Sequence, residues 1–162
     1  MGRVLDVGCG TGEHALLAAS LGHDALGVDR SPRAVERARA KAANRALNAR
    51  FLVADALRLS DLAEQFDTVL DCGLFHVLSD DERSPYVAGL TSIVPQGGRF
   101  HLLCFSDRQP GDSGPRRVTQ DELRSSFAEG WAIDSIAPAI LELTWNPDGA
   151  HAWQLSATRT DR

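Results

Sequence analysis

An apolar, β-branched run at residues 4–7 opens directly into Gly8-Cys9-Gly10-Thr11-Gly12, with three glycines at alternate positions. Nothing else in the chain restricts its fold as much. Glycine has no Cβ, so a backbone built this way can bend sharply after a strand and bring its amides against a ligand, as nucleotide-binding turns do. The residues that follow fit a strand, turn and helix. Residues 13–21 have helical content through Leu16, Leu17 and Leu21, and Gly22 is placed to end the helix.

The alternation then repeats. A second short apolar run at 25–28 ends in Asp29; Ser31 offers an N-cap and Pro32 a first-turn proline for a helix with Val35, Ala38, Ala42 and Ala46 on one face. Residues 51–53 and 68–70 predict the third and fourth strands, the latter after the polar turn Gln65-Phe66-Asp67. Ser79 and Glu82 form a capping box for a helix through Tyr86, Val87, Leu90 and Val94, which stops before Gly97-Gly98. Residues 100–105 are continuously apolar and predict a central fifth strand. A loop rich in Gly, Pro and charge occupies 106–117, and a second capping box, Thr119 and Glu122, starts a helix over 120–128. Two β-prone segments, 131–143 and 151–158, are joined by the turn signal Asn146-Pro147-Asp148-Gly149. The whole predicts an α/β fold: a Rossmann-like, doubly wound, mostly parallel sheet wrapped by helices, with a C-terminal antiparallel hairpin.

At 162 residues and 43% hydrophobic content, 1–162 reads as one domain with one core. A net charge of -5 argues against nucleic acid as the principal partner and favours a small molecule. Cys9, Cys72 and Cys104 are odd in number and lie in apolar, strand-like surroundings, which suits reduced thiols and a cytoplasmic location. The chain shows no signal peptide and no apolar span for a membrane. The cysteines, His76 and His101 lack metal-site spacing, so no metal is expected. Arg33, Arg37, Lys41 and Arg45 form a basic stripe at helical spacing that reads as a solvated outer face. Gly111-Asp112-Ser113-Gly114-Pro115 has a superficial likeness to the nucleophile loop of trypsin-like proteases, but it follows an α/β strand and lacks that family's two-barrel context. A flexible loop covering a substrate mouth is the better reading, with Arg116 or Arg117 as anion contacts or as plain solvated charge.

The glycine spacing bears on which cofactor the turn serves. A dinucleotide fingerprint wants G-x-G-x-x-G, and counting from Gly8 puts Glu13 at its third glycine. Counting from Gly10 reaches Ala15, which the fingerprint tolerates, so a nicotinamide-dependent oxidoreductase stays open. Asp29, at the end of the second strand, can accept from ribose hydroxyls in either reading.

Asp6-Val7-Gly8-Cys9-Gly10-Thr11-Gly12, Asp29, Asp55-Ala56 and the terminal hairpin resemble a class I S-adenosylmethionine-dependent methyltransferase over nearly the whole chain. The runs Cys104-Phe105-Ser106-Asp107-Arg108 and Gly114-Pro115-Arg116-Arg117-Val118 are similar to a small-molecule subgroup of that family. The resemblance implies S-adenosylmethionine as cofactor, S-adenosylhomocysteine as product and a small-molecule methyl acceptor, through O, N, S or C. It implies a cofactor site built from Asp6, Gly8, Cys9, Gly10, Gly12, Asp29, Arg30, Asp55, Ala56, Asp71 and Cys72. The glycines would lie under the methionine part and Asp29 would hold the ribose. Asp55 would accept from the adenine amino group, the Ala56 amide would face a ring nitrogen, and backbone around Asp71 and Cys72 would lie near the methionine amine.

His76, just beyond the fourth strand, is the candidate general base; the alternative is a hydrogen-bonded wall residue. Methyl transfer needs no base when the acceptor is already ionised or is an amine. The cofactor turn begins close to Met1, without the N-terminal helical segment that covers the cofactor in the family. Weak cofactor affinity in an isolated monomer is the expectation, and a cofactor-binding domain with little turnover, or a homo-oligomer whose partner supplies the cover, is compatible with the sequence.

Overall fold

Five parallel strands carry the order that places the site: β1 (Arg3–Val7), β2 (Asp24–Asp29), β3 (Ala49–Val53), β4 (Thr68–Cys72) and β5 (Arg99–Phe105). The computed structural model describes residues 2–144 and 146–161; Met1 lies outside the described residues. Two antiparallel strands, β6 (Trp131–Leu143) and β7 (Asn146–Arg159), extend the sheet to the order β3-β2-β1-β4-β5-β7-β6. Strand order reverses between β1 and β4, which opens a crevice at the C-terminal ends of the strands. The expected mostly parallel, doubly wound sheet with a terminal antiparallel pair is the observed one.

Both faces of β1 are buried, as its apolar residues require: Leu5 and Val7 join one apolar cluster, Val4 the other. The covering helices are α1 (Glu13–Ser20), α2 (Pro32–Asn44), α3 (Asp80–Ile93) and α4 (Gln120–Ser126). Ser31 caps α2 by accepting from the Ala34 amide at 3.3 Å, with Pro32 in the first turn. Both capping boxes form as read, Ser79 with Glu82 and Thr119 with Glu122.

Two short 3-10 segments, Ala56–Leu62 and Phe75–Val77, escape a periodicity reading because they are too short to show one. The hairpin also closes elsewhere than expected. Leu143 pairs with Asn146, so residues 146–149 lie inside β7 as a kink and are not the connecting turn. Asn146 satisfies that kink locally: its Oδ1 accepts from the Asp148 amide at 3.1 Å and its Nδ2 donates to the Gly149 carbonyl at 2.8 Å. Among the described residues no helix is long and apolar enough to cross a membrane, and no cluster of His, Cys, Asp and Glu could hold a metal.

Candidate functional site

The glycine turn is where the sequence reading placed it, between β1 and α1, with Gly8, Gly10 and Gly12 at φ of 68°, 53° and 88°. These values favour glycine, and Gly12 is further constrained by packing. A Cβ there would stand 2.6 Å from the Phe51 ring and 2.9 Å from Ala38 Cβ. Phe51 thus supports the turn from below. Asp6 works from the same side: it is 1% exposed, and its Oδ2 accepts from the Ala15 amide at 3.2 Å, tying β1 to the start of α1. Burial pushes its carboxyl above the usual carboxylate range, opposed by the charge of His14.

Asp29 closes the other side of the turn. Its Oδ2 accepts from the Gly10 amide at 2.9 Å and its Oδ1 from the Ser31 amide at 2.8 Å. Each carboxylate oxygen has a second lone pair, so the group is fixed in place yet able to accept from a diol. Asp55, just beyond β3, accepts from the Leu57 amide through Oδ1 at 2.9 Å and so starts the first 3-10 segment.

These elements surround a cavity of about 370 Å³ at the strand ends, within the range of small-ligand sites. Of the residues singled out from sequence, Gly8, Asp29, Arg30, Asp55 and Ala56 line it; Asp6, Cys9, Gly10, Gly12, Asp71 and Cys72 do not. Gly10 and Gly12 act through the turn itself, and Asp6 holds it from beneath. Burial raises the Cys9 thiol to about 12 and the Cys72 thiol to about 11, so neither is a thiolate at neutral pH. Sequence reasoning missed Leu57, Leu74, Val77, Leu78 and Glu82, which also line the cavity. Their signal was faint: Asp71 followed two positions later by Gly73 marks a bend after β4, and the apolar residues beyond it are cavity wall. A larger, shallower groove of about 1040 Å³ runs between α3 and α4, and no residue of the glycine turn or of the five parallel strands lines it.

The geometry speaks against His76 as a general base. Its ring is 4% exposed and stands edge-on to Phe105, with centroids 5.0 Å apart. Its Nδ1 accepts from the Phe105 amide at 3.0 Å, so a neutral ring holds its proton on Nε2. Burial lowers its pKa to about 4, offset in part by the Gly73 backbone. No basic nitrogen is left free, and the alternative reading, a hydrogen-bonded wall residue, describes its contacts.

Arg116 and Arg117 are not free anion contacts either. Arg116 bridges Asp80 and Glu122. Arg117 donates to the carbonyls of Gln109, Pro110, Gly111, Ser113 and Pro115, fastening the 106–117 loop that composition alone suggested was flexible. The basic stripe on α2 is partly engaged as well, since Lys41 and Arg45 both pair with Glu13.

Known proteins match this architecture. Residues 4–98 match the family described as methyltransferase domain. The chain is 36% identical over 143 residues to the 2-heptyl-1-hydroxyquinolin-4(1H)-one methyltransferase of Mycobacteroides abscessus, covering 86% of this chain and 63% of that protein. It is 36% identical over 105 residues to an uncharacterized methyltransferase of Schizosaccharomyces pombe, covering 65% of this chain and 72% of the relative. A structure solved in work on conversion of a disulfide bond into a thioacetal group during echinomycin biosynthesis superposes with a TM-score of 0.87 at 38% identity. That match covers 99% of this chain and 77% of the other. The fold and these relatives define a class I methyltransferase. The chain belongs to the S-adenosylmethionine-dependent methyltransferase family, and it spans less than two thirds of the length of its mycobacterial relative. Nothing among these relatives supports the oxidoreductase alternative.

Proposed function

We propose that the chain transfers a methyl group from S-adenosylmethionine to a small-molecule acceptor and releases S-adenosylhomocysteine. One observation carries the reading: a cavity at the sheet's reversal point is lined together by Gly8 of the glycine turn, Asp29 and the Asp55-Ala56 pair. The residues suit the cofactor. Asp29, immobilised by two amides, accepts from the ribose hydroxyls; Asp55 accepts from the adenine amino group, and the Ala56 amide faces a ring nitrogen. Arg30 lies on the same wall. Gly8 and Gly10 keep the backbone low enough for the methionine part to pass over it.

When bound, the cofactor supplies an electrophilic methyl group on a sulfonium. The chain's own contribution is alignment. The sheet and the turn fix the donor, and an acceptor entering in line needs no proton removed if it is already an anion or an amine. This suits a site beside which His76 is neutral and engaged. The mycobacterial relative is named for a hydroxyquinolone, which supports a small heteroaromatic acceptor of that kind for this chain. The test is calorimetric titration with S-adenosylhomocysteine and with a nicotinamide dinucleotide, then a screen of hydroxyquinolones, phenols, thiols and amines for a methylated product mass. Heat with the first ligand and a methylated product are expected; binding of the dinucleotide alone would overturn the proposal.

A further inference from the structure

The stretch just beyond β4 that lines the cavity, Gly73 and Leu74, is held by a buried pair, Asp71 and Tyr86, neither of which lines it. Leu74 sits so close over the glycine turn that a Cβ on Gly8 would stand 3.0 Å from Leu74 Cβ and 3.3 Å from its Cδ2. The position of Leu74 therefore sets the gap between the turn and the cavity wall beyond β4. Its amide donates to Asp71 Oδ1 at 2.8 Å, and the Phe75 amide donates to the same oxygen at 3.3 Å. The other oxygen, Oδ2, accepts from the Tyr86 hydroxyl at 2.7 Å. Asp71 is 2% exposed and Tyr86 fully buried, so water offers neither a substitute partner.

Tyr86 is the chain's one tyrosine and stands on the apolar stripe of α3, where its ring packs against Phe75 at 6.4 Å. A phenylalanine would pack the same space. The hydroxyl has one partner, the Asp71 carboxylate, and removing it leaves a buried oxygen unpaired and free to turn away from the Leu74 amide. Asp71 is itself locked in the sheet, paired with Val7 on one side and Leu102 on the other. The connected path runs from α3 through Tyr86, Asp71 and Leu74 to Gly8.

We infer that Tyr86 and Asp71 are positioning residues for the methionine end of the cofactor, acting through Leu74 on the width of the cavity at Gly8. The inference rests on the proposed cofactor reading, which puts the methionine part over the glycine turn and the adenosine between Asp29 and Asp55.

The experiment compares two ligands that differ at that end: S-adenosylhomocysteine, and 5′-methylthioadenosine, which lacks the amino-acid portion. Each is titrated calorimetrically into wild type, Tyr86→Phe, Leu74→Ala and the double variant. Tyr86→Phe is expected to weaken S-adenosylhomocysteine about tenfold and leave 5′-methylthioadenosine unchanged. Because Tyr86 acts through Leu74, the double variant should lose no more than the worse single one. Equal losses on both ligands would mark general loosening and overturn the inference, as would additive losses. If Tyr86→Phe does not fold, Leu74→Ala decides, since unchanged S-adenosylhomocysteine affinity there removes the end of the path. Wild type that fails to bind S-adenosylhomocysteine overturns the cofactor reading and this inference with it; wild type that binds, beside unaltered variants, overturns this inference alone.

Discussion

Gly10 and Asp29 are joined by a hydrogen bond of 2.9 Å from the Gly10 amide to Oδ2, which makes the glycine turn and the end of β2 one unit. The Ser31 amide holds the second oxygen, so the carboxylate also fixes the entrance to α2. A residue needed only for ribose contact would be free to turn; this one is already oriented, and orienting it costs the ligand nothing on binding.

Replacing Asp29 should therefore damage affinity more than its ligand contacts alone suggest. Asp29→Asn keeps the shape but cannot accept at both positions, and should weaken S-adenosylhomocysteine about tenfold; Asp29→Ala should weaken it about a hundredfold. Calorimetric titration measures both. Affinity in Asp29→Ala within twofold of wild type would refute the assignment.

Gly12 makes a stability prediction independent of any ligand. At φ of 88°, with Phe51 and Ala38 against the place a Cβ would occupy, Gly12→Ala combines backbone strain with overpacking and should cost about 2–4 kcal/mol. Urea unfolding would show it. Shrinking the obstacle, as in Gly12→Ala with Phe51→Leu, should return less than half of the loss, because the strain in φ stays.

Much of this architecture is legible in residues 4–32. The apolar run, the three glycines, Ser31-Pro32 and the acidic residue after the second strand each act over a few residues, and local rules capture them. What lay beyond reach depends on distant contacts. Asp71 reads as a strand-end acid near the ligand, yet its partner Tyr86 is a helix away, and only the packed structure turns the carboxylate inward. His76 reads as a base by position, but the Phe105 amide on the neighbouring strand takes its lone pair. Arg117 reads as exposed charge, whereas its contacts come from the shape of a loop with no periodicity.

The 106–117 loop should behave as an ordered feature despite its composition. Arg117 alone donates to five carbonyls, those of Gln109, Pro110, Gly111, Ser113 and Pro115, and Arg108 lies over the Trp153 ring at 4.6 Å. Lysine carries the same charge without the planar fork, so Arg117→Lys should leave most of these carbonyls unpaired. Limited proteolysis is expected to cut within 109–115 at least several times faster, with the urea midpoint shifted little. Equal cleavage rates would show that the loop is held by something else.

The pH dependence of stability follows from His76 and the buried acids, which act in opposite directions. His76 has a folded pKa of about 4 against an ordinary value of 6.5; its stabilising contribution is present above pH 6.5 and is lost as pH falls through 4. His101, lowered by burial and by Arg99, acts in the same sense. Burial raises Asp71 to about 6 and raises Asp6 too, so their contribution is present below the ordinary carboxylate value and is lost as pH rises through about 6. Between pH 7 and 5 the two sets oppose one another and wild-type stability should change little. His76→Asn offers an oxygen to the Phe105 amide in place of Nδ1 but cannot titrate. Relative to wild type it should gain about 2 kcal/mol on going from pH 7 to pH 5. Urea midpoints at pH 7, 6 and 5 check this. Parallel curves for the two proteins would mean that His76 titrates alike in the folded and unfolded chain, and that its burial among Phe105 and Gly73 has no electrostatic consequence.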